Sequence, residues 1–313
     1  MARYLVVRIG SLLVSLVGAT MVVFFIMHAI PGGPYNATKA ASLSADQLAS
    51  INKFYGLDKP LWQQYWDFLW NALHLQFGYS YQDPGETISD LLARVWPISA
   101  FAGGMGILIG VGFGMLLGIA AALRRNTWID YLATVVSVAS ITIPPFVVSI
   151  GLLLLFAVVL RWFPASGWNG PSTYVLPILA YSTIPLGPVV RYTRASMLDM
   201  AARPYVVVAR AKGLSRRQVV IRHVLRNALR PIVTIVLPLL PGIMTGSIFV
   251  EFIFGVPGMG QYFVTSINNR DYPLEMALIF IISIFYGVMF VISDVIYVLL
   301  DPRVRLADRT SAA

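Results

Sequence analysis

With 313 residues, 58% of them hydrophobic and 12% charged, the chain falls well below the roughly 25% charged residues of soluble domains, which excludes a water-soluble fold. It has no cysteine, so disulfides and thiolate metal sites are excluded as well. A net charge of +9 would suit nucleic acid, but the basic residues lie beside long apolar stretches, and we expect no nucleic-acid partner.

Six apolar stretches predict an all-α, polytopic membrane protein, because a helix needs about 20 mostly apolar residues to cross the hydrocarbon. They are residues 9–30, 98–123, 131–160, 174–190, 231–254 and 276–300. The third stretch is long enough to tilt or to extend past the bilayer, and three prolines make the ends of the fourth the hardest to place. The first is too long for the apolar part of a signal peptide, so we expect it to be retained.

The positions of Lys and Arg predict the orientation. If the N-terminus is cytoplasmic, 17 of the 23 basic residues fall on the cytoplasmic side, as the positive-inside rule requires. Both termini are therefore expected in the cytoplasm. This divides the chain into the N-terminus with the first span (1–30), an extracytoplasmic segment with interfacial helices (31–97), a core of five spans (98–303) and a cytoplasmic tail (304–313).

The long outer segment carries helix signals of its own. Ser44 and Gln47 form a predicted capping box, and Pro60 suits the first turn of a second helix. Apolar residues then recur at helical spacing: Trp62, Tyr65, Trp66, Leu69, Trp70 and Leu73. We favour an anchor at the membrane interface over a docking face for an external partner, because the stripe is rich in aromatic residues.

Four glycines of the second stretch follow one another at intervals of four residues. They are Gly106, Gly110, Gly114 and Gly118. Small residues at that spacing leave a groove along one helix face, which lets another helix approach closely. The pattern predicts tight helix packing but does not say whether the partner helix belongs to this chain.

The basic loop between the fourth and fifth stretches predicts two short helices outside the membrane. Pro204 suits a helix start, Gly213 a left-handed stop, and Ser215 with Gln218 forms a second capping box. The loop carries too many charges to enter the hydrocarbon. Such a bent helix pair can bind anionic lipid, or it can dock as a rigid knob into a groove of a soluble partner.

Residues 209–214, Ala-Arg-Ala-Lys-Gly-Leu, and the later Arg226-Asn227-Ala228-Leu229-x-Pro231 resemble the cytoplasmic loop of ABC importer permeases, above all those of the dipeptide, oligopeptide and nickel group. The resemblance implies the type I ABC importer permease fold, with the loop at about 198–228 forming coupling helices in a cleft of an ATPase subunit. The implied coupling residues are Tyr205, Ala209, Arg210, Ala211, Lys212, Gly213, Leu214 and Ser215. Val207 stands where many sugar permeases have an acidic residue.

Further motifs extend the resemblance along nearly the whole chain. They are Ile30-Pro31-Gly32-Gly33-Pro34, Tyr55-Gly56-Leu57-Asp58-Lys59-Pro60-Leu61, Phe77-Gly78-Tyr79-Ser80, Phe254-Gly255-Val256-Pro257-Gly258-Met259-Gly260, Asn269-Arg270-Asp271-Tyr272-Pro273 and Asp301-Pro302-Arg303-Val304-Arg305. Trp168-Asn169-Gly170 and residues 269–272 look particularly like the oligopeptide B-type subunit. By resemblance, Glu251, Pro257 and Gly258 are expected to line the pathway or its gate.

The chain is not expected to be an enzyme by itself. It contains neither a phosphate-binding Gly-x-x-x-x-Gly-Lys-Ser/Thr loop nor a His-Glu-x-x-His site, so we predict no catalytic, cofactor or metal site. The resemblance implies a second homologous permease, two ATPase subunits that bind ATP and Mg, an extracytoplasmic substrate-binding protein, surrounding lipid and a peptide substrate. The resemblance does not determine the length of the peptide, and it does not exclude nickel as the substrate.

Two other functions compete with this one. A stand-alone secondary transporter would use Glu251 and Asp294 as proton sites, and it would usually show an internal inverted repeat, which we do not find. An intramembrane aspartyl protease would need paired acids at similar depth, whereas Glu251 and Asp294 are expected near opposite faces of the membrane.

Overall fold

The computed structural model describes residues 2–30 and 44–300. Within them the regular structure is helical, apart from one isolated antiparallel bridge between Tyr79 and Thr87, which confirms the all-α prediction. The helices are α1 (Ala2–Ala29), α2 (Ala45–Tyr55), α3 (Leu61–Leu73), α4 (Ile88–Leu123), α5 (Trp128–Thr142), α6 (Pro145–Leu152), α7 (Pro171–Ala201), α8 (Pro204–Ala211), α9 (Arg216–Met244), α10 (Ile248–Phe254), α11 (Met259–Asn269) and α12 (Tyr272–Leu300).

Two of these helices include other helix types. A π-helical stretch, Leu153–Val159, continues α6. The run α9 consists of Arg216–Val219, the π-helical Val220–Leu225, Arg226–Ala228, Arg230–Val236, the 3₁₀ turn Leu237–Leu239 and Leu240–Met244. The motifs at residues 31–34 and 301–305, and the predicted tail, lie outside the described residues.

Five of the described helices are long and apolar enough to cross a membrane, or seven spans result if each of two bent helix pairs counts as one. The six predicted spans fall inside that range. The chain divides into two units, one made of Met1–Ser99 and Pro257–Gly287 and the other of Ala100–Val256 and Val288–Ala313.

The third predicted span is not one continuous helix. α5 and α6 meet at an angle of 110°. The break falls at Ile143, which has extended backbone, and at the proline pair that follows it. A residue before proline avoids the helical conformation, and proline has no N–H to donate, so Pro144 and Pro145 end one helix and start another.

The fourth span is longer than predicted, because α7 continues to Ala201 instead of ending at residue 190. The prediction stopped where the arginines begin. Charge ends a membrane span but not a helix, since arginine is a good helix former, and Arg194 also pairs with the carboxylate of Asp130.

The fifth span also differs from the prediction at both ends. The second helix of the basic loop is not a separate short helix, since α9 runs from Arg216 past Pro231 to Met244. Pro231 is tolerated because it lies at the first turn of its helical segment, where its missing N–H costs little. A turn at residues 245–247, with Gly246 at φ +92°, then separates α9 from α10.

In the second unit, the four-spaced glycines of α4 pack against α7, which confirms the tight-packing prediction and identifies the partner helix as one of this chain. A Cβ atom at Gly114 would lie 2.9 Å from the Val189 Cβ, and one at Gly118 would lie 2.6 Å from the Thr193 Cβ. Only glycine allows this approach.

In the first unit, the predicted capping box at Ser44 is present, and Pro60 is the cap of α3 and not its first residue. The aromatic stripe of α3 divides between two faces. Tyr65 is buried and its hydroxyl donates to the Val17 carbonyl of α1 at 2.9 Å. Trp62, Trp66 and Trp70 are exposed on the other face. An interfacial anchor made of these three tryptophans stays a prediction.

Candidate functional site

Residues 205–215 form an exposed ridge whose ends are set by local chemistry. Pro204 begins α8, as predicted, and the helix ends before Gly213, whose φ of +79° is the left-handed conformation that favours glycine. The Gly213 N–H donates to the Arg210 carbonyl at 2.9 Å. Ser215 then caps α9, and its N–H donates to the Gln218 side chain at 3.0 Å, which completes the predicted capping box.

The inner face of the ridge is fixed to two long helices. Val206 and Ala209 of α8 are buried in one apolar cluster with Met197 of α7 and with Val219 and Val224 of α9. Ala209, one of the coupling residues implied by the resemblance, is 5% exposed and lies on this inner face. Its small side chain lets α8 pack closely in this cluster, and a coupling role for Ala209 stays a prediction.

Polar contacts add to this support. The Tyr205 hydroxyl donates to the His223 carbonyl at 3.4 Å, and the Asn227 amide donates to the Tyr205 hydroxyl at 3.3 Å. The same amide donates to the His223 carbonyl at 3.0 Å. Tyr205 thus joins α8 to α9, and the ridge should move together with these helices.

The outer face of the ridge is open to solvent. Arg210, Ala211, Lys212, Gly213 and Ser215 are exposed and Leu214 is half-buried. A Cβ atom built on Gly213 meets no heavy atom within 4 Å. The segment from Arg210 to Ser215 therefore presents mainly small and basic residues to solvent.

Glu251 is one of the most deeply buried polar residues that the structure describes, with 0% of its surface exposed. It lies on α10 and accepts a hydrogen bond of 2.9 Å from the Tyr181 hydroxyl of α7. The same hydroxyl accepts the Ser247 N–H at 2.6 Å. Tyr181 is therefore a polar link between α7 and the start of α10. A pathway or gate role for Glu251 stays a prediction.

Tyr181→Phe is expected to lower the free energy of unfolding by about 1–3 kcal/mol, because the half-buried Ser247 N–H loses its acceptor and the buried Glu251 loses a donor. Tyr174→Phe is the matched control, since it removes a hydroxyl from a half-buried tyrosine on the same helix. Detergent-titration unfolding of both variants checks this. Equal stability of the two variants would show that the hydroxyl of Tyr181 carries no structural link.

The other two predicted gate residues, Pro257 and Gly258, belong to the first unit. Gly258 is the cap of α11 and is buried. The next N–H, of Met259, donates to the Ser99 hydroxyl at 2.8 Å. The sequence therefore places these residues and Glu251 close together along the chain, while the structure assigns them to different units.

An ion pair that the sequence analysis missed joins α5 to α7. The Asp130 carboxylate accepts hydrogen bonds from two nitrogens of Arg194, one of them at 2.8 Å, and from the Asn126 N–H at 3.0 Å. The Asp130 side chain is 5% exposed. Asp130 is the only acidic residue between positions 98 and 190. Its isolation among apolar residues was the feature of the sequence that could have indicated a buried ion pair.

Two motif segments that are distant in sequence meet in the first unit. The Asp271 carboxylate accepts hydrogen bonds from the Ser80 hydroxyl and from the Tyr81 N–H, the latter at 3.1 Å. The Gln82 amide donates to the Asn269 carbonyl at 2.8 Å. Burial raises the pKa of the Asp271 carboxyl, and the hydrogen bonds offset part of that effect. The segment after α3 is thus attached to the start of α12.

Family models match most of the chain. Residues 114–306 match the model described as "Binding-protein-dependent transport system inner membrane component", and residues 1–100 match the one described as "Binding-prot-dependent transport system membrane comp, N-term".

Two relatives illustrate the similarity. The dipeptide transport system permease protein DppB of Bacillus subtilis is 39% identical over 98% of this chain and 99% of its own length. The oligopeptide transport system permease protein OppB of Salmonella typhimurium is 37% identical over 90% of this chain and 92% of its own. A solved structure, "Crystal structure of an amino acid ABC transporter with histidines", matches 68% of this chain and 92% of its own with a TM-score of 0.48 and 17% identity.

Proposed function

Because the chain belongs to the family of binding-protein-dependent transport system inner membrane components, we propose that it forms half of the translocation pathway of an ATP-driven peptide importer. It is a multi-pass protein of the inner membrane. Peptides are the proposed substrate because relatives that match nearly the full chain are named as dipeptide and oligopeptide permeases.

The proposed complex has three further kinds of component. A second homologous permease completes the pathway, two ATPase subunits bind ATP and Mg, and an extracytoplasmic binding protein delivers the substrate. This chain binds no cofactor of its own. The excess of Arg and Lys around residues 191–230 supports a cytoplasmic position for the ridge, with both termini on the same side.

The observation that carries the proposal is the construction of the ridge. Its outer face is exposed, while Val206, Ala209 and Tyr205 fix its inner face to α7 and α9. Both of these helices are candidate membrane spans. A push on the ridge would therefore be transmitted to two spans at once, as alternating access driven by a separate ATPase requires.

A proton-coupled transporter that acts alone is not supported. The two relatives that match 98% and 90% of this chain are named as permease proteins of transport systems. Glu251 also has a structural explanation, since its carboxyl accepts the Tyr181 hydrogen bond inside the second unit. A proton site is not needed to account for its burial.

Cysteine crosslinking tests the proposed contact, and the natural chain has no cysteine that would give a background signal. Ala211→Cys, on the exposed ridge, is expected to crosslink to the ATPase subunit in intact membranes. Ser50→Cys, exposed on α2, is the control and should instead react with a membrane-impermeant thiol reagent added from outside. Labelling of Ala211→Cys from outside, with no ATPase adduct, would overturn the proposal.

A further inference from the structure

An open groove of about 580 Å³ lies where the end of α4 meets the start of α9. Its lining combines two kinds of residue. Five are apolar and three are arginines: Ile119, Leu123, Val220, Ile221, Leu225, Arg124, Arg216 and Arg217. All of them belong to the second unit.

The apolar floor lies at the ends of two candidate membrane spans. Ile119 and Leu123 belong to the last two turns of α4, and Val220, Ile221 and Leu225 to the first turns of α9. Leu123 and Ile221 are 39% and 50% exposed. The floor therefore continues the lipid-facing surface of these helices towards the membrane interface.

The basic rim is positioned across the groove. Arg216, at the start of α9, donates a hydrogen bond of 3.5 Å to the Leu123 carbonyl of α4. Arg124 and Arg217 are exposed, and within residues 2–30 and 44–300 no carboxylate forms an ion pair with any of the three arginines. Three guanidinium groups thus remain available beside an apolar floor.

We infer that this groove binds an anionic phospholipid of the cytoplasmic leaflet, with the phosphate at the arginines and an acyl chain on the floor. Guanidinium groups bind phosphate with paired, charge-assisted hydrogen bonds, and basic pockets beside membrane helices are suited to anionic headgroups. Free phosphate would leave the apolar floor uncovered. The inference rests on the proposed function for the cytoplasmic position of the loop.

Because of where the groove lies, a bound lipid would stabilise the start of α9. Arg216 and Arg217 follow directly after the ridge, at the point where the chain leaves Ser215 and enters α9. A phospholipid held there would brace the first turn of α9 against the end of α4. It would thereby stabilise the junction through which the ridge is connected to the membrane.

The test is native mass spectrometry of the intact complex with added phosphatidylglycerol, and with phosphatidylcholine of the same acyl chains. Arg216→Gln/Arg217→Gln should weaken phosphatidylglycerol binding at least about tenfold. Arg125→Gln/Arg222→Gln removes the same charge from exposed arginines that do not line the groove, and it should leave binding within about twofold. Ile221→Ser tests the floor and should also weaken binding.

Four outcomes would overturn the inference. The first three are equal loss in the two double variants, equal binding of phosphatidylcholine by the natural chain, and displacement of the lipid by excess inorganic phosphate. Exclusion of phosphatidylglycerol by the bound ATPase would do the same, since the groove would then be part of a protein interface. The readout needs neither ATP nor transport, so its failure is separable from failure of the Ala211→Cys crosslink.

Discussion

Gly213→Asp is expected to abolish ATP-driven uptake while the chain still reaches the membrane in normal amount. Gly213 has φ +79°, and a residue with a Cβ atom is strained there by about 1–2 kcal/mol. No heavy atom lies within 4 Å of the position that its Cβ would occupy. The chain itself can therefore accommodate the side chain, and the loss of function must arise where a partner closes over the ridge.

The new carboxylate would also change the charge of the surface. Gly213 lies between the exposed basic residues Arg210 and Lys212 on one side and the capping Ser215 on the other. A carboxylate there would neutralise part of the basic face of the ridge and would project into the partner protein that binds this face. Both effects weaken attachment of an ATPase without a requirement that the permease unfold.

Gly213→Asn is the matched variant, because asparagine has nearly the shape of aspartate, tolerates the left-handed conformation and carries no charge. If charge matters, we expect Gly213→Asn to retain more uptake than Gly213→Asp. If any side chain at this position blocks docking, the two variants should retain equally little uptake. Peptide uptake, ATPase copurification and membrane abundance are measured together. Unchanged uptake and unchanged ATPase attachment in Gly213→Asp would contradict the proposed role of the ridge.

The features predicted well from sequence are those decided within a few residues. The capping boxes at Ser44 and Ser215 and the left-handed Gly213 depend on side chains that satisfy nearby backbone groups, so the local sequence contains the whole cause. The ridge could be predicted for the same reason. The function of the ridge was predicted from the family resemblance, because no spacing of residues indicates which protein binds it.

The features missed depend on residues far apart in the chain. Asp130 meets Arg194 across 64 positions, and Tyr65 meets Val17 across 48. Hydropathy alone ends the fourth span at residue 190, whereas α7 continues past Arg194 to Ala201, and the ion pair with Asp130 joins that extension to α5. Tyr65 faces α1, where it donates to the Val17 carbonyl, and so it does not share the exposed face of the three tryptophans. Helix periodicity fixes which residues share a face, but tertiary contacts decide which way that face points.

Gly110→Ala is expected to destabilise the second unit by more than about 3 kcal/mol, at the upper end of the range for overpacked cores. The added methyl group would fall well inside contact distance of the Ser182 carbonyl oxygen of α7 and 2.7 Å from the Pro185 Cγ. The carbonyl belongs to the backbone of α7 and the proline ring is closed onto its own backbone nitrogen, so neither can rotate away as a flexible side chain would. The helices would have to separate.

The effect should not stay local, because Gly106, Gly114 and Gly118 use the same close approach. Moving α4 from α7 at Gly110 also opens the contacts on either side, and the dispersion energy of the whole seam falls. Since α7 carries Tyr181 and Met197, the shift would reach both the Glu251 link and the apolar cluster beneath the ridge. We therefore expect uptake to fall together with stability.

Gly112→Ala is the control on the same helix, two residues further along. A Cβ atom there meets no heavy atom within 4 Å. Alanine is a better helix former than glycine, so this variant should be neutral or more stable by about 0.5–1 kcal/mol. Unfolding of the purified chain in mixed detergent micelles measures both changes, and their opposite signs make the comparison decisive. If Gly110→Ala unfolds at the same detergent composition as Gly112→Ala, then α4 and α7 are not packed at the distance that the four-spaced glycines allow.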